Sequence, residues 1–288
     1  MKGFSMLVLG SCAFWSLGVL PATAAEDEIL TVVFSMAHNG YVRTKLPDGT
    51  FKPETYAFGE GGYASGLMRD DSIDHFPFTK LAGILAPYLA RQNYVPTQSP
   101  EGTDLLVMVH WGTTIPYGGY QTALDDLQAA SRPSAEGGPM GDTTSAFMML
   151  NLHNWLRDKA NAHNAALLGY LPEINRIGSA QPFLGLAPRT TYYSDLISDL
   201  EEDRYYVILA AYDFRLAWKE KKLKLLWVTR VSIRAHGNRF DQQLETMVAS
   251  ASRYFGEDSR FLIRQRVPEG KVKIGEPKVI EVVPDASK

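Results

Sequence analysis

The chain has 288 residues, of which 45% are apolar, 21% charged and 11% aromatic, with a formal charge of −3 and a single cysteine. That excludes an intrinsically disordered chain, a collagen-like one, a disulfide framework and a zinc site built from several thiolates. A mildly acidic chain without Lys/Arg blocks also lacks the electrostatic footprint of a nucleic-acid binder, so no nucleic acid is expected as a partner.

Lys2, the apolar stretch Phe4 to Leu20 and the small-residue run Pro21-Ala22-Thr23-Ala24-Ala25 follow the pattern of a secretory signal peptide cut at Ala24 or Ala25. The stretch contains Gly10, Ser11 and Gly18, ends in Pro21 and meets the acids Glu26, Asp27 and Glu28, which makes it a poor membrane-spanning helix, and no later segment comes close to spanning a bilayer. The expected organisation is a signal over 1–24 and one domain over 25–288. Cleavage removes Lys2 and Cys12 but no acid, so the remainder is cysteine-free and one charge more acidic than the whole. A second reading exists, because Leu9-Gly10-Ser11-Cys12 resembles the lipobox at which bacterial lipoproteins are acylated, which would make Cys12 a lipid anchor. The apolar run before Cys12 is shorter than usual for that purpose. No Asn-x-Ser/Thr acceptor occurs. These features point to a bacterial periplasmic or secreted protein.

Ile29 to Ala37 is rich in β-branched residues and reads as a strand, and Asn39-Gly40 predicts a hairpin turn into Tyr41 to Leu46. Glu54 to Phe58 reads as extended and leads into the loop Gly59-Glu60-Gly61-Gly62, which lacks the spacing of a phosphate-binding motif. Leu81, Ile84, Leu85, Tyr88 and Leu89 form the apolar stripe of a helix from about Pro77 to Gln92, with Pro87 on its solvent side. Leu105 to Val109 is a continuous apolar run, as in a strand buried on both faces. Residues 112–141 read as a loop-rich excursion with one short helical candidate near Thr122 to Ala130. A helix follows from the cap Asp142 to Gly169, with the stripe Met149, Leu152, Leu156, Ala160 and Leu167. Residues 171–190 look irregular, and Tyr192 to Asp203 reads as a further helix.

Tyr205 to Trp218 and Leu223 to Arg234 read as two long strands joined by the charged turn Lys219 to Lys222. The alternation predicts a register with Trp218 opposite Leu223, Phe214 opposite Trp227 and Ile208 opposite Ile233, which makes Asp213 and Arg230 diagonal neighbours. Asn238 is expected to cap a helix whose stripe is Phe240, Leu244, Met247, Val248, Ala251 and Phe255, and Lys271 to Val283 reads as an edge strand or two. Together the elements predict an α+β fold, a mixed and largely antiparallel sheet with a long hairpin at about 205–235 and helices packed on it.

The succession Tyr56-Ala57-Phe58, the helix Leu81 to Gln92 closing before Tyr94, Asp104-Leu105-Leu106-Val107 and the later strand bearing Leu226-Trp227 resembles a family of functionally unassigned bacterial envelope lipoproteins. The likeness covers about 120 residues. It departs from that family at Asn93, which stands where the family has Gly, across 112–203, and in lacking a convincing lipobox, and it implies a small α/β sandwich and an envelope setting, without catalytic residues.

Gly-x-Ser-x-Gly, His-Glu-x-x-His, the P-loop and the EF-hand pattern are all absent, and no cofactor is expected. His110 and Trp111 stand where an interior strand runs into the long loop, the position at which open α/β sheets bind ligands. Trp111, Tyr117 and Tyr120 are therefore candidates for an aromatic platform for a sugar ring or peptide, with Trp111 as a core plug the competing reading. His110 with a carboxylate such as Asp213 is the candidate pair of a hydrolase. Asp71 and His75, in a cluster with Asp70 and Asp74, are candidate ligands of a divalent cation, or else the acids of a solvated helix start. His153 and His163 fall on the inward side of their helix, about 15 Å apart along its axis and too far to share a metal ion. The sequence thus favours an exported, non-enzymatic binding or assembly factor whose partner is an envelope protein or a small ligand. The alternatives are the His110 hydrolase and a lipid-anchored protein.

Overall fold

The computed structural model describes residues 28–67, 69–118, 143–179 and 191–268. The signal segment, Tyr120, the helical candidate at 122–130, the Asp142 cap and the stretch 271–283 lie outside them. Seven strands form one sheet in the order β3-β2-β4-β5-β6-β1-β7, with β1 at Glu28–Ala37, β2 at Glu54–Ala64, β3 at Tyr94–Pro96 and β4 at Leu105–Thr113. The others are β5 at Arg204–Asp213, β6 at Leu225–Arg234 and β7 at Ile263–Pro268. Only β2 pairs in parallel, with β3 and β4, and every other pairing is antiparallel. The α+β fold with helices packed on a mixed, mostly antiparallel sheet is thus the architecture the sequence predicts.

Both faces of the sheet are covered, by different helices. On one face α1 (Phe78–Ala90) buries Leu81, Leu85, Tyr88 and Leu89, and α6 (Phe240–Ser252) buries the stripe expected of it. Pro87 sits inside α1 on its exposed side, so the hydrogen bond it cannot donate is lost where water can replace it. These side chains meet Val33, Val107, Val207, Trp227 and Val231 in a continuous core. Fully burying one such side chain contributes roughly 1.5–3 kcal/mol. The opposite face carries α2 (Thr143–Leu168), α3 (Leu171–Ser179) and α4 (Thr191–Leu200), whose core includes Phe34, Leu168, Tyr170, Leu196, Leu200 and Tyr206. Gly169 ends α2 with φ +83°, as expected, whereas α3 occupies a segment expected to be irregular.

Asn39 and Gly40 make the predicted turn, with φ of 52° and 72° and the Tyr41 amide donating to His38 O, yet no hairpin follows. β1 pairs with β6 and β7, its partners lying close to 200 or more residues away, because its two apolar faces need the two helix layers that a local hairpin cannot supply. The helix α6 is not capped by Asn238. Ser72, on the turn 71–75, accepts instead from the Phe240 amide at 3.0 Å.

The long hairpin exists with a different register. Ala211, not Phe214, faces Trp227, and Val207 faces Val231. Residues Phe214–Glu220 leave the strand and form a short helix, α5, in which the Asp213 carboxylate accepts from the Leu216 amide at 3.1 Å and Phe214 stacks on Trp218 at 6.0 Å. Asp213 therefore caps a helix and makes no pair with Arg230, whose Nε has no hydrogen-bond partner among the described residues.

Two arginines are built into the interior. Arg43 lies with its guanidinium 4.1 Å from the centre of the Phe51 ring and 4.0 Å from that of Tyr94, with Glu54 at 3.5 Å from Nε. Arg204, buried at the start of β5, contacts Asp199 of α4 at 3.4 Å and donates to Ser232 Oγ at 3.2 Å. Asp199 also accepts from Tyr170 at 3.1 Å and meets Arg264 of β7 at 3.1 Å, so one carboxylate joins α4 to two strands and to the junction between α2 and α3.

Candidate functional site

The predicted site residues do not converge. Trp111 is 3% exposed, stacks on Phe78 at 6.0 Å and 19°, and belongs to the core under α1, because β4 alternates and its odd-numbered residues face that layer. Tyr117 packs edge-on against His153 of α2, at 4.9 Å, on the other side of the sheet. The aromatic platform is thereby divided, and the core-plug reading of Trp111 holds.

His110 lies on the opposite face of β4 from Trp111. Asp213 is opposite Leu105, five residues along β4 from His110, so the two point to opposite faces about 17 Å apart along the strand and cannot share a cleft. The His110 ring instead covers Gly61, at the bulge between Glu60 and Gly62, where a Cβ would come within 2.5 Å of it. Partial burial pushes its pKa below the ordinary histidine value, against a smaller opposing contribution from the Gly61 backbone.

Asp71 and His75 are both exposed. Their neighbours serve the turn, since Asp70 accepts from Tyr205 and from Ser72, and Asp74 accepts from Tyr63 at 2.5 Å and from the Asp70 amide at 2.9 Å. Burial works against the Asp70 carboxylate, but the bonds from Tyr205 and Ser72 hold its pKa below the usual range. Among the described residues no three His, Cys, Asp or Glu side chains gather closely enough to hold a metal ion.

The arrangement with the features of a binding site lies elsewhere, among α2, α3 and α4. The α2 helix turns a polar face inward. His153, Asn161 and Asn164 are buried, while Leu152 and Trp155 are each 52% exposed and His163 is exposed too, against the predicted stripe. Asn164 Nδ2 explains part of this inversion, because it donates to Leu200 O at 3.1 Å and to Ile115 O at 3.3 Å and so closes the end of α4 against α2. Asn161 Nδ2 donates to Glu201 Oε1 at 3.1 Å, and Arg157 Nε stands 3.7 Å from the same oxygen.

Beside this seam is an open cavity of about 590 Å³, within the range of small-molecule sites. Ala165, Leu171, Ile174, Ile197 and Leu200 give it an apolar floor, and Arg157, Asp158, Asn161, Ser194, Ser198 and Glu201 give it a polar rim. Asn161 is only 8% exposed and its Oδ1 has no hydrogen-bond partner. The amide cannot be reversed, because a carboxylate only accepts and so requires the Nδ2 side. Arg157 Nε, a donor beside it, has no hydrogen-bond partner either. The helices around the cavity are held by the Asp199 network and by Glu173, which pairs with Arg176 at 2.5 Å and accepts from Tyr192 at 3.2 Å. Sequence reasoning missed this site because its only signal is a helix whose inward face mixes His153, Asn161 and Asn164 with apolar residues such as Ala165 and Leu168.

Neither a family model nor a curated protein matches this chain. A solved structure described as a PDZ domain protein from Parabacteroides distasonis is similar at 12% identity and a TM-score of 0.32, over 79% of this chain, which spans 37% of that one. No helix among the described residues is long and apolar enough to cross a membrane.

Proposed function

We propose that the protein is an exported, non-enzymatic binding or assembly factor of the bacterial cell envelope, with the cavity between α2, α3 and α4 as its binding site. One observation carries the binding reading: a preformed cavity of about 590 Å³ between α2, α3 and α4 joins apolar side chains to the polar groups of Arg157, Asn161, Tyr193, Ser194, Ser198 and Glu201. The signal-like pattern of Lys2 to Ala25 and the resemblance to envelope lipoproteins support the setting. The separation of His110 from Asp213 speaks against the hydrolase alternative.

The test uses Ala162→Trp. Ala162 is exposed and lines the cavity, so an indole there fills the mouth without entering a core. Protein recovered from the envelope fraction is expected to retain a ligand or partner that the variant loses at unchanged melting temperature. Equal retention by the two would remove the reading. Intact-mass measurement decides the mode of export, since an N-terminus near Ala25 or Glu26 excludes acylation at Cys12.

A further inference from the structure

We propose that the connection from β5 to β6 is a docking surface for an anionic lipid bilayer, which it meets with exposed lysines and two exposed apolar side chains. The proposal is independent of the cavity. Asp213 to Lys224 carries a formal charge of +3 within a chain whose total is −3, with Arg215, Lys219, Lys221, Lys222 and Lys224 set against Asp213 and Glu220. The acids here are engaged. Asp213 caps α5, Glu220 pairs with Lys222 at 3.0 Å, and Arg215 pairs with Asp104 at 3.5 Å. Glu101, which lines a recess with Arg215, Trp218 and Lys219, accepts from Ser99 Oγ at 3.0 Å. Lys219, Lys221 and Lys224 are exposed and make no ion pair among the described residues.

Charge alone fits any polyanion, and the apolar side chains choose among them. Trp218 is 56% exposed and Leu223 is 70% exposed, on either side of Lys221 and Lys222. Trp218 stacks on Phe214 at 6.0 Å and 12°, and Lys221 Nζ lies 5.3 Å from the centre of its ring, so the indole is held at the surface beside a cation. Lys221, with φ 56°, is a left-handed cap that ends α5, and Leu223 follows in the turn. An indole sits by preference at the level of lipid headgroups, and lysines bury their stems while keeping their ammonium groups among the phosphates. A leucine exposed among four lysines gains nothing from a phosphodiester backbone, whereas in a bilayer it leaves water. The favourable placement of cations at a helix C-terminus explains Lys219 and Lys221, but not the exposed Leu223 and Lys224 beyond that end.

The experiment sediments the full chain with vesicles of equimolar phosphatidylglycerol and phosphatidylcholine, and with vesicles of phosphatidylcholine alone, over a range of salt. Binding to the anionic vesicles is expected to be at least about ten-fold tighter and to weaken as salt rises. The triple variant Lys219→Gln, Lys221→Gln, Lys224→Gln is expected to lose about a hundred-fold, since each lysine near an anionic surface contributes about five-fold. Leu223→Ser, outside any helix or strand, is expected to weaken binding by about three- to ten-fold, and Trp218→Ala by at least as much. Melting temperatures of the glutamine and serine variants are expected to match the parent, because every altered side chain is exposed, so lost binding is not lost folding. Ala162→Trp is expected to bind vesicles as the parent does, which keeps this proposal and the cavity separately testable. Equal binding to the two kinds of vesicle overturns the inference, and so does full binding by the triple variant, the result expected if the apolar run Phe4 to Leu20 alone held the chain to lipid. Duplex DNA that binds more tightly than the vesicles and is indifferent to Leu223→Ser also overturns it, by making the patch a site for a soluble polyanion.

Discussion

The Arg43 guanidinium stacks on the ring of Tyr94 at 4.0 Å, and the Tyr94 hydroxyl in turn reaches Phe255 O at 3.4 Å and fills the space above Gly256. This joins the loop after β1 to the end of α6. Its three guanidinium nitrogens lack hydrogen-bond partners among the described residues, so the planar faces and the nearby Glu54 carry the interaction. Arg43→Ala is expected to cost about 2–4 kcal/mol, combining a void with the lost cation–π contacts. Arg43→Lys should recover less than half of it, because an ammonium cannot stack on two rings as a plane does. Gly256→Ala should also destabilise, since φ is +76° and a Cβ would overlap the Tyr94 hydroxyl. Urea unfolding measures all three.

Trp111→Ala is expected to destabilise the protein by about 3–5 kcal/mol, the range for emptying a large aromatic site in a core. The same variant should leave retention of envelope ligands unchanged at a temperature where it is folded, because the cavity lies across the sheet. Loss of ligand without loss of stability would contradict the core placement.

His110 gives a signed pH dependence. Its folded pKa lies below the unfolded value near 6.5, so the ring is neutral in both states above that pH and no penalty exists there. As pH falls below 6.5 the unfolded chain takes up the proton first, and stability declines until the folded pKa is passed. NMR titration of the ring protons should show the depressed value. Gly61→Ala, whose Cβ displaces the ring toward solvent, should raise it toward 6.5 and flatten the slope.

Asp213→Ala is expected to cost about 1 kcal/mol as a lost helix cap, with Asp213→Asn recovering most of it. Denaturant midpoints at equal slope are the readout. An effect confined to a catalytic rate, without one on stability, would contradict the capping role.

Asp199 balances Arg204 and Arg264 together, so Asp199→Ala leaves two cations facing an apolar layer and is expected to cost about 3–5 kcal/mol. The same change should enhance hydrogen exchange in α4 before it does so in α6, since Asp199 belongs to α4.

The parts legible in the sequence are those where one period explains one face. The stripes of α1 and α6 are purely apolar and pack on a purely apolar sheet face, so the 3.6-residue repeat locates them directly. Phe214 to Trp218 misled for a definable reason. Over five residues, alternation and an i,i+4 pair fit equally well, and the N-cap Asp213 was the deciding signal. Once those residues leave the strand, its pairing slips and the apolar set moves to the other face. In α2 the buried face is defined by hydrogen bonds from Asn161 and Asn164, which hydrophobic periodicity cannot register, so the stripe was placed at the wrong angle and the cavity beside it was not seen. Trp111 was visible as an important aromatic, but which face of β4 it occupies depends on the layer opposite, and that is a tertiary fact.

The placement of β1 between β6 and β7 has a consequence for biosynthesis. β1 is synthesised well before its partners, which begin at Leu225 and Ile263, so this part of the sheet cannot close until both have been made. Pairings this distant form slowly, because the loop-closure entropy has to be met before the contacts exist. Until Leu225–Arg234 and Ile263–Pro268 have emerged, β1 has neither of its ladder partners, and its apolar faces stay uncovered.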